Sequence, residues 1–176
     1  MDTLSRILDR RSVRKFKPEK LSHEVIEQIV EHAKFAPSWA NTKTARFICV
    51  ESEETKRRIA ELTDSNREII EKAPDLFIIT AVRGRSGQER DGTLYNHTSD
   101  EWTMFDCGLA AQTLCLAAAE LGVGTVIMGG YRQPEISELL NLPEDQMLVA
   151  LIPAGKPDET PVAPRRKALD EILQII

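Results

Sequence analysis

Histidine and cysteine are scarce in this chain, three of each in 176 residues, and that scarcity narrows its chemistry early. Cys49, Cys107 and Cys115 stand in apolar surroundings without CxxC spacing. An odd set of this kind points to reduced thiols in a cytoplasmic protein, not to a disulfide framework. His23 and His32 lack the i,i+4 spacing that would put both on one helix face, which argues against a metal site. The most apolar stretch, Leu114 to Gly130, is broken by Glu120 and several glycines, so no membrane span is expected. The first thirty residues hold no apolar h-region, and no signal peptide is expected. Ser12 sits in no G-x-S-x-G elbow, no histidine is placed by motif beside a cysteine, and there is no Walker A sequence. Gly122, Gly124, Gly129 and Gly130 do not spell G-x-G-x-x-G. They fall at a helix end and a strand end, which speaks against a dinucleotide fold.

What the chain does hold is an uneven distribution of charge. Its length predicts a single domain, residues 1–176, able to bury a sizeable core. Hydrophobic residues make up 41% and charged residues 29%, the balance of a soluble globular protein. The net charge is −5, yet residues 1–20 carry seven basic against three acidic side chains, and Arg165, Arg166 and Lys167 form a second basic island. General nucleic-acid binding asks for a broadly basic surface, which this composition does not offer. Two basic islands near opposite ends either hold a small anion between them or are solvated surface runs.

The pattern predicts alternating helices and strands. A first helix is expected over 2–10. A second starts behind an N-cap at Ser22, carries Val25, Ile26, Ile29, Val30 and Ala33 at helical spacing, and ends before Pro37. After the polar SWANTKT loop, strands are expected over 45–51 and 75–82, with short helices over 53–62 and 66–73. Residues 83–97 read as an exposed loop. A long helix follows from about Ser99 to Leu121, C-capped by Gly122, and then a strand VGTVIMGG. Pro134 opens a short helix to Leu140, and QMLVALIPAG is the last core strand. The long helix is apolar nearly all round, with Phe105, Leu109 and Leu116 on one side and Cys107, Ala110 and Leu114 on others. It is buried either by its own sheet or in a subunit interface, and the apolar tail ALDEILQII favours the interface.

No acid–base or nucleophile–base pair stands out. The remaining polar groups suit a cofactor that brings its own chemistry, with the protein supplying position and charge. Arg10, Ser12 and Arg14 alternate, so an extended chain presents two guanidinium forks and a hydroxyl on one side, a match for phosphate. Arg165 and Lys167 alternate likewise.

RRSVRKF, APSWAN (36–41), FDCGLAAQTLCLAAAELGVGT, MGGYR (128–132) and PRRKAL (164–169) occur in that order. Together they resemble the nitroreductase family of FMN-dependent oxidoreductases over nearly the whole chain. The resemblance implies an α+β, three-layer fold with a central mixed or antiparallel sheet flanked by helices. It also implies an intertwined homodimer with shared FMN sites, each built from both subunits. It implies NAD(P)H as electron donor and nitroaromatics, quinones, flavins or related small molecules as acceptors. Residue by residue, it assigns Arg10, Arg11, Ser12 and Arg14 to the FMN phosphate, ribityl chain and pyrimidine edge, with Arg165 and Lys167 completing the phosphate grip. Pro37, Ser38, Trp39 and Asn41 come onto the flavin from the partner. Asn66 reads the pyrimidine ring, and Ile127, Gly129 and Gly130 lie at the flavin, the glycines offering backbone N–H groups near N5. For Trp39, Asn66 and the glycine pair, loop packing, a helix cap and a simple turn are the plainer alternatives. The sequence departs from many relatives after Asn41, where Lys43 stands in place of a neutral amide and a Pro-Trp pair is missing. A flavin store or sensor without turnover, and a cofactor-free interaction domain, are the rival readings.

Overall fold

The computed structural model describes residues 3–95 and 99–176. DLFIITAV is apolar but for its first residue and Thr80, and a strand of that kind must be covered on both faces. It forms β2 (Asp75–Val82), buried along its whole length. β2 pairs antiparallel with β1 (Ala45–Val50) on one side and β4 (Gln146–Gly155) on the other. β3 (Gly124–Thr125) lies outside β4, giving the order β1-β2-β4-β3. The pairing is antiparallel throughout the sheet; a single bridge between Ser12 and Thr125 adds a parallel contact at its edge. Ile79 pairs with Ala150 and Thr80 with Leu148, so Val149 is the extra residue of a bulge.

Alternation along the strands decides which helix goes where. Phe77, Ile79 and Ala81 face α2 (His23–Ala33) and α5 (Ser99–Glu120), meeting Ile29, Ala33, Leu114 and Ala118. Leu76 and Ile78 face the other way, toward Ile59 of α3 (Glu53–Glu61), Ile70 of α4 (Arg67–Lys72) and Ile136 of α6 (Gln133–Leu139). The result is an α+β fold of three layers. α1 (Thr3–Asp9) lies beside α5, joined by Arg6 Nε to Glu120 Oε2 at 2.8 Å. Local signals hold where they were strongest. Ser22 Oγ accepts the Val25 N–H at the start of α2. Gly122, at φ +73°, turns the chain out of α5, and the Val123 N–H returns to the Ala118 carbonyl at 2.8 Å.

Three expectations need correction. The strand VGTVIMGG shrinks to Gly124–Thr125, although its register along β4 continues: Val126 N–H reaches the Pro153 carbonyl, and Met128 and Leu151 exchange both bonds. Pro153 has no N–H to return to Val126, so the ladder breaks there. The short helices are trimmed to 53–61 and 67–72, and the helix expected over 2–10 ends at Asp9, its residue 2 lying outside the described residues. Leu4, Ile7 and Leu8, on one face of α1, are exposed, as are Met104 and Phe105 of α5. Beyond β4 the chain runs out as an arm with one 3-10 turn at Leu169–Glu171, exposing Val162, Ile172, Leu173, Ile175 and Ile176. Of the polar 83–97 segment, residues to Tyr95 are irregular apart from one bridge between Gln88 and Leu94; 96–97 lie outside the described residues.

Candidate functional site

The basic N-terminal segment is extended because it is clamped on both sides. Val13 N–H donates to the Thr125 carbonyl at 3.0 Å. The Arg14 and Lys15 N–H groups both donate to Glu159 Oε1, at 2.5 and 3.1 Å. Lys17 and Asp158 close the far end through backbone bonds to Lys156 and Lys15. Val13 and Phe16 turn inward, leaving Arg14 exposed. Gly124 is required by this arrangement: a Cβ there would sit 2.8–2.9 Å from three carbons of Val13. Among the described residues no carboxylate lies within ion-pair distance of Arg10, Arg14, Arg165 or Lys167. Arg11 differs, since its guanidinium donates to the backbone carbonyls of Leu8 and Arg10. It also lines, with Arg10, Val13 and Glu159, a cleft of about 350 Å³ that Ser12 and Arg14 do not line. Arg165 and Lys167 lie exposed on the C-terminal arm, just past Ala163, which borders that cleft.

The 36–43 loop is held in a conformation its residues would not choose alone. Ala40, Asn41 and Lys43 have φ of +44°, +56° and +54°, a region that costs a non-glycine residue roughly 1–3 kcal/mol. Bonds over-determine it: Asn41 N–H to the Ser38 carbonyl at 3.0 Å, Thr42 N–H to the Trp39 carbonyl at 2.9 Å, and Lys43 N–H to Ser38 Oγ at 2.9 Å. The four residues expected together on a flavin divide between two faces. Pro37, Ser38 and Asn41 line a cleft of about 590 Å³ with Lys43 and Arg46. Trp39 lines a separate open bowl and meets Tyr95 edge to face, ring centroids 5.9 Å apart.

Asp106 escaped the sequence reading. It is 2% exposed on α5, and its carboxylate accepts the Trp39 N–H at 2.9 Å and the Ser86 hydroxyl at 2.6 Å. The available signal was an acidic residue in the otherwise apolar FDCGLAAQ turn, because a carboxylate is buried there only if donors meet it.

Ile127, Gly129 and Gly130 are exposed past β3. Neither glycine has positive φ, and a Cβ on Gly129 would meet nothing within 4 Å. On Gly130 it would meet only Asn66 Nδ2, at 3.9 Å. The chain's own packing therefore gives no reason for glycine at either place. Asn66 stands at the N-terminus of α4 but makes no side-chain capping bond, and its Nδ2 lies near Gly130. The plainer alternative of a helix cap is not what the side chain does.

The thiols offer no competing chemistry. Burial pushes Cys107 up to about 12, with Asp106 adding to it. Burial, with Asp75 and Glu51, does the same to Cys49. Cys115 is raised chiefly by burial. No group of three or more metal-ligating side chains occurs among the described residues.

Comparison with known proteins gives a consistent result. The sequence model described as "Nitroreductase family" matches residues 7–66 and 61–156. The chain is 29% identical over 174 residues to an FMN reductase of Bacillus subtilis whose name specifies NAD(P)H, covering 93% of this chain and 70% of the relative. It is 28% identical over 176 residues to the NADPH-flavin oxidoreductase of Vibrio harveyi, covering 95% and 71%. Among solved structures, B. megaterium NfrA2 superposes with a TM-score of 0.87 at 29% identity, covering 99% of this chain and 74% of that one.

Proposed function

The chain belongs to the nitroreductase family, and from that premise we propose that it is a homodimeric, FMN-dependent oxidoreductase that passes electrons from NAD(P)H to nitroaromatics, quinones or related small acceptors. The observation that carries this reading is the open glycine pair, Gly129 and Gly130, beside the uncommitted amide of Asn66. Glycine with no conformational or packing reason of its own suits a surface that a flat ring approaches closely. The relatives named as FMN and flavin reductases support the choice of cofactor.

When bound, FMN supplies the hydride-accepting chemistry. The chain's part is to bind and orient. Arg10, Ser12 and Arg14 hold the phosphate, with Arg165 and Lys167 supplied from the arm. Arg11 serves this grip less, because its guanidinium already holds the turn after α1. Backbone N–H groups of Gly129 and Gly130 donate to the N5 edge, Ile127 lies alongside, and Asn66 reads the pyrimidine. Pro37, Ser38 and Asn41, which share one cleft, reach the cofactor of the partner subunit, while Trp39 lines the bowl on the other side. No side-chain base is needed for hydride transfer, and donor and acceptor use the site in turn.

The exposed apolar side chains of α1, of α5 at Met104 and Phe105, and of the arm are what a homodimer would cover. The same reading takes residues 1–176 as a single domain and places it in the cytoplasm, where three unpaired thiols stay reduced. No helix among the described residues is long and apolar enough to cross a membrane.

Purified protein should be yellow, release FMN and not FAD on denaturation, and oxidise NAD(P)H when a quinone is added. Light scattering should give twice the chain mass. FMN bound without turnover would leave a flavin store or sensor. A protein that stays colourless after incubation with FMN would overturn the reading.

A further inference from the structure

We propose that Asp106 is a positioning residue that fastens the 36–43 and 83–95 loops to one point on α5, so that both walls of the acceptor's entrance are held as a unit. This rests on the reading above, in which the 36–43 loop borders the flavin. Asp106 Oδ1 takes the Trp39 N–H at 2.9 Å, and Oδ2 takes the Ser86 hydroxyl at 2.6 Å. Ser86 is fully buried, and its Oγ lies 2.9 Å from Thr42 Oγ1. A carboxylate only accepts, and Ser86 has one proton. With that proton given to Asp106, the contact between the loops runs one way, Thr42 donating to Ser86. The chain of bonds therefore has a fixed direction that ends on Asp106.

The geometry shows why a buried carboxylate is kept on an apolar helix. The 36–43 loop holds three left-handed residues, Ala40, Asn41 and Lys43, and Trp39, just before them, is tied to Asp106. The 83–95 loop has little regular structure of its own, and Ser86 is where it is anchored in the core. Trp39 and Tyr95 then meet across the bowl between the loops. Released from Asp106, the loops still touch through Thr42–Ser86 and Trp39–Tyr95 but lose their common fixed point on α5.

Two variants test this in purified, FMN-loaded protein. Asp106→Ala removes both acceptors at once, the one for the Trp39 N–H and the one for the Ser86 hydroxyl. Ser86→Ala keeps the Asp106–Trp39 bond and cuts the two links that Ser86 makes, to Asp106 and to Thr42. In Asp106→Ala, amide hydrogen exchange should rise about tenfold or more in both 39–43 and 84–88, with β2 and α5 unchanged. In Ser86→Ala the rise should centre on 84–88, with the Trp39 N–H still held by Asp106. With 1,4-benzoquinone as acceptor, the KM of both variants should rise about tenfold while kcat stays within about twofold.

Unchanged exchange in both variants would overturn the proposal. So would a rise spread evenly over the whole chain, which marks ordinary destabilisation. If Asp106→Ala does not fold, the rise centred on 84–88 in Ser86→Ala decides. Exchange can also be measured without flavin, so a parent that binds no FMN or does not turn over refutes the proposed function while leaving the test of Asp106 intact.

Discussion

Arg14 and Arg11 stand three residues apart in one basic run, yet the structure separates their work, and mutating each in turn measures the difference. The Arg14 side chain is exposed, and among the described residues its one bond is a long contact, Nη1 to the Ser12 carbonyl at 3.4 Å. What holds this stretch in place is the Arg14 backbone N–H on Glu159, which alanine keeps. Arg14→Ala should therefore change apoprotein stability by less than about 0.5 kcal/mol. If the guanidinium grips the FMN phosphate, its loss removes at least one charge-assisted bond, roughly 1.5–3 kcal/mol, and raises the Kd for FMN about ten- to a hundredfold. Arg14→Lys should recover only part of this, since an ammonium lacks the planar fork. Arg11→Ala should show the reverse. It strips two bonds from the backbone carbonyls of Leu8 and Arg10, and the apoprotein should lose about 1 kcal/mol with a smaller effect on FMN. The assays are FMN titration by fluorescence quenching and thermal melts with and without FMN. Bound FMN favours the folded state, so the holoprotein of Arg14→Ala should lose more stability than its apoprotein. Parental FMN affinity in Arg14→Ala, or an apoprotein that unfolds, would refute the assignment.

Lys56 is 3% exposed, and its Nζ donates to the Ala73 and Pro74 carbonyls and pairs with Glu53. Lys56→Met should cost about 2–4 kcal/mol in denaturant melts, because buried carbonyls lose their donor; a cost below about 1 kcal/mol would contradict it. Burial raises the Asp75 carboxyl above its ordinary pKa of 3.8, partly offset by the Leu21 N–H, and its Oδ1 has no hydrogen-bond partner among the described residues. The folded protein thus holds this proton more tightly than the unfolded chain, so stability is present in acid and falls as pH rises through the folded-state pKa. Asp75→Asn, neutral throughout, should gain in Tm on the parent between about pH 4 and pH 7; a difference that does not change with pH would exclude this. Gly124→Ala drives a Cβ into Val13 and should cost the apoprotein roughly 1–3 kcal/mol, whereas Gly130→Ala, with only Asn66 Nδ2 at 3.9 Å, should spare the fold and weaken FMN binding. Parental FMN affinity in Gly130→Ala, read by titration, would show the glycine pair to be merely a turn.

The most legible parts of this protein were those decided by neighbours in the chain. β2 and β4 came out residue for residue at 75–82 and 146–155, because unbroken apolar runs between turn residues must be core strands. The cap at Ser22 and the exit at Gly122 are local geometry too. The ordered motifs pointed to the family, and the family match agrees. The rest was set by partners distant in sequence. β3 stops at Thr125 because the residue facing Val126 is Pro153, on another strand. The family resemblance grouped Arg11 with Arg10 and Arg14, but the fold turns its guanidinium back onto the turn it follows. Pro37 and Trp39 are two apart in the chain and face different clefts, with the Trp39 N–H held by a carboxylate 67 positions away. Periodicity registers which residues must be buried; it carries no information about which donor a buried Asp106 will meet, since that partner exists only once two loops and a helix have come together.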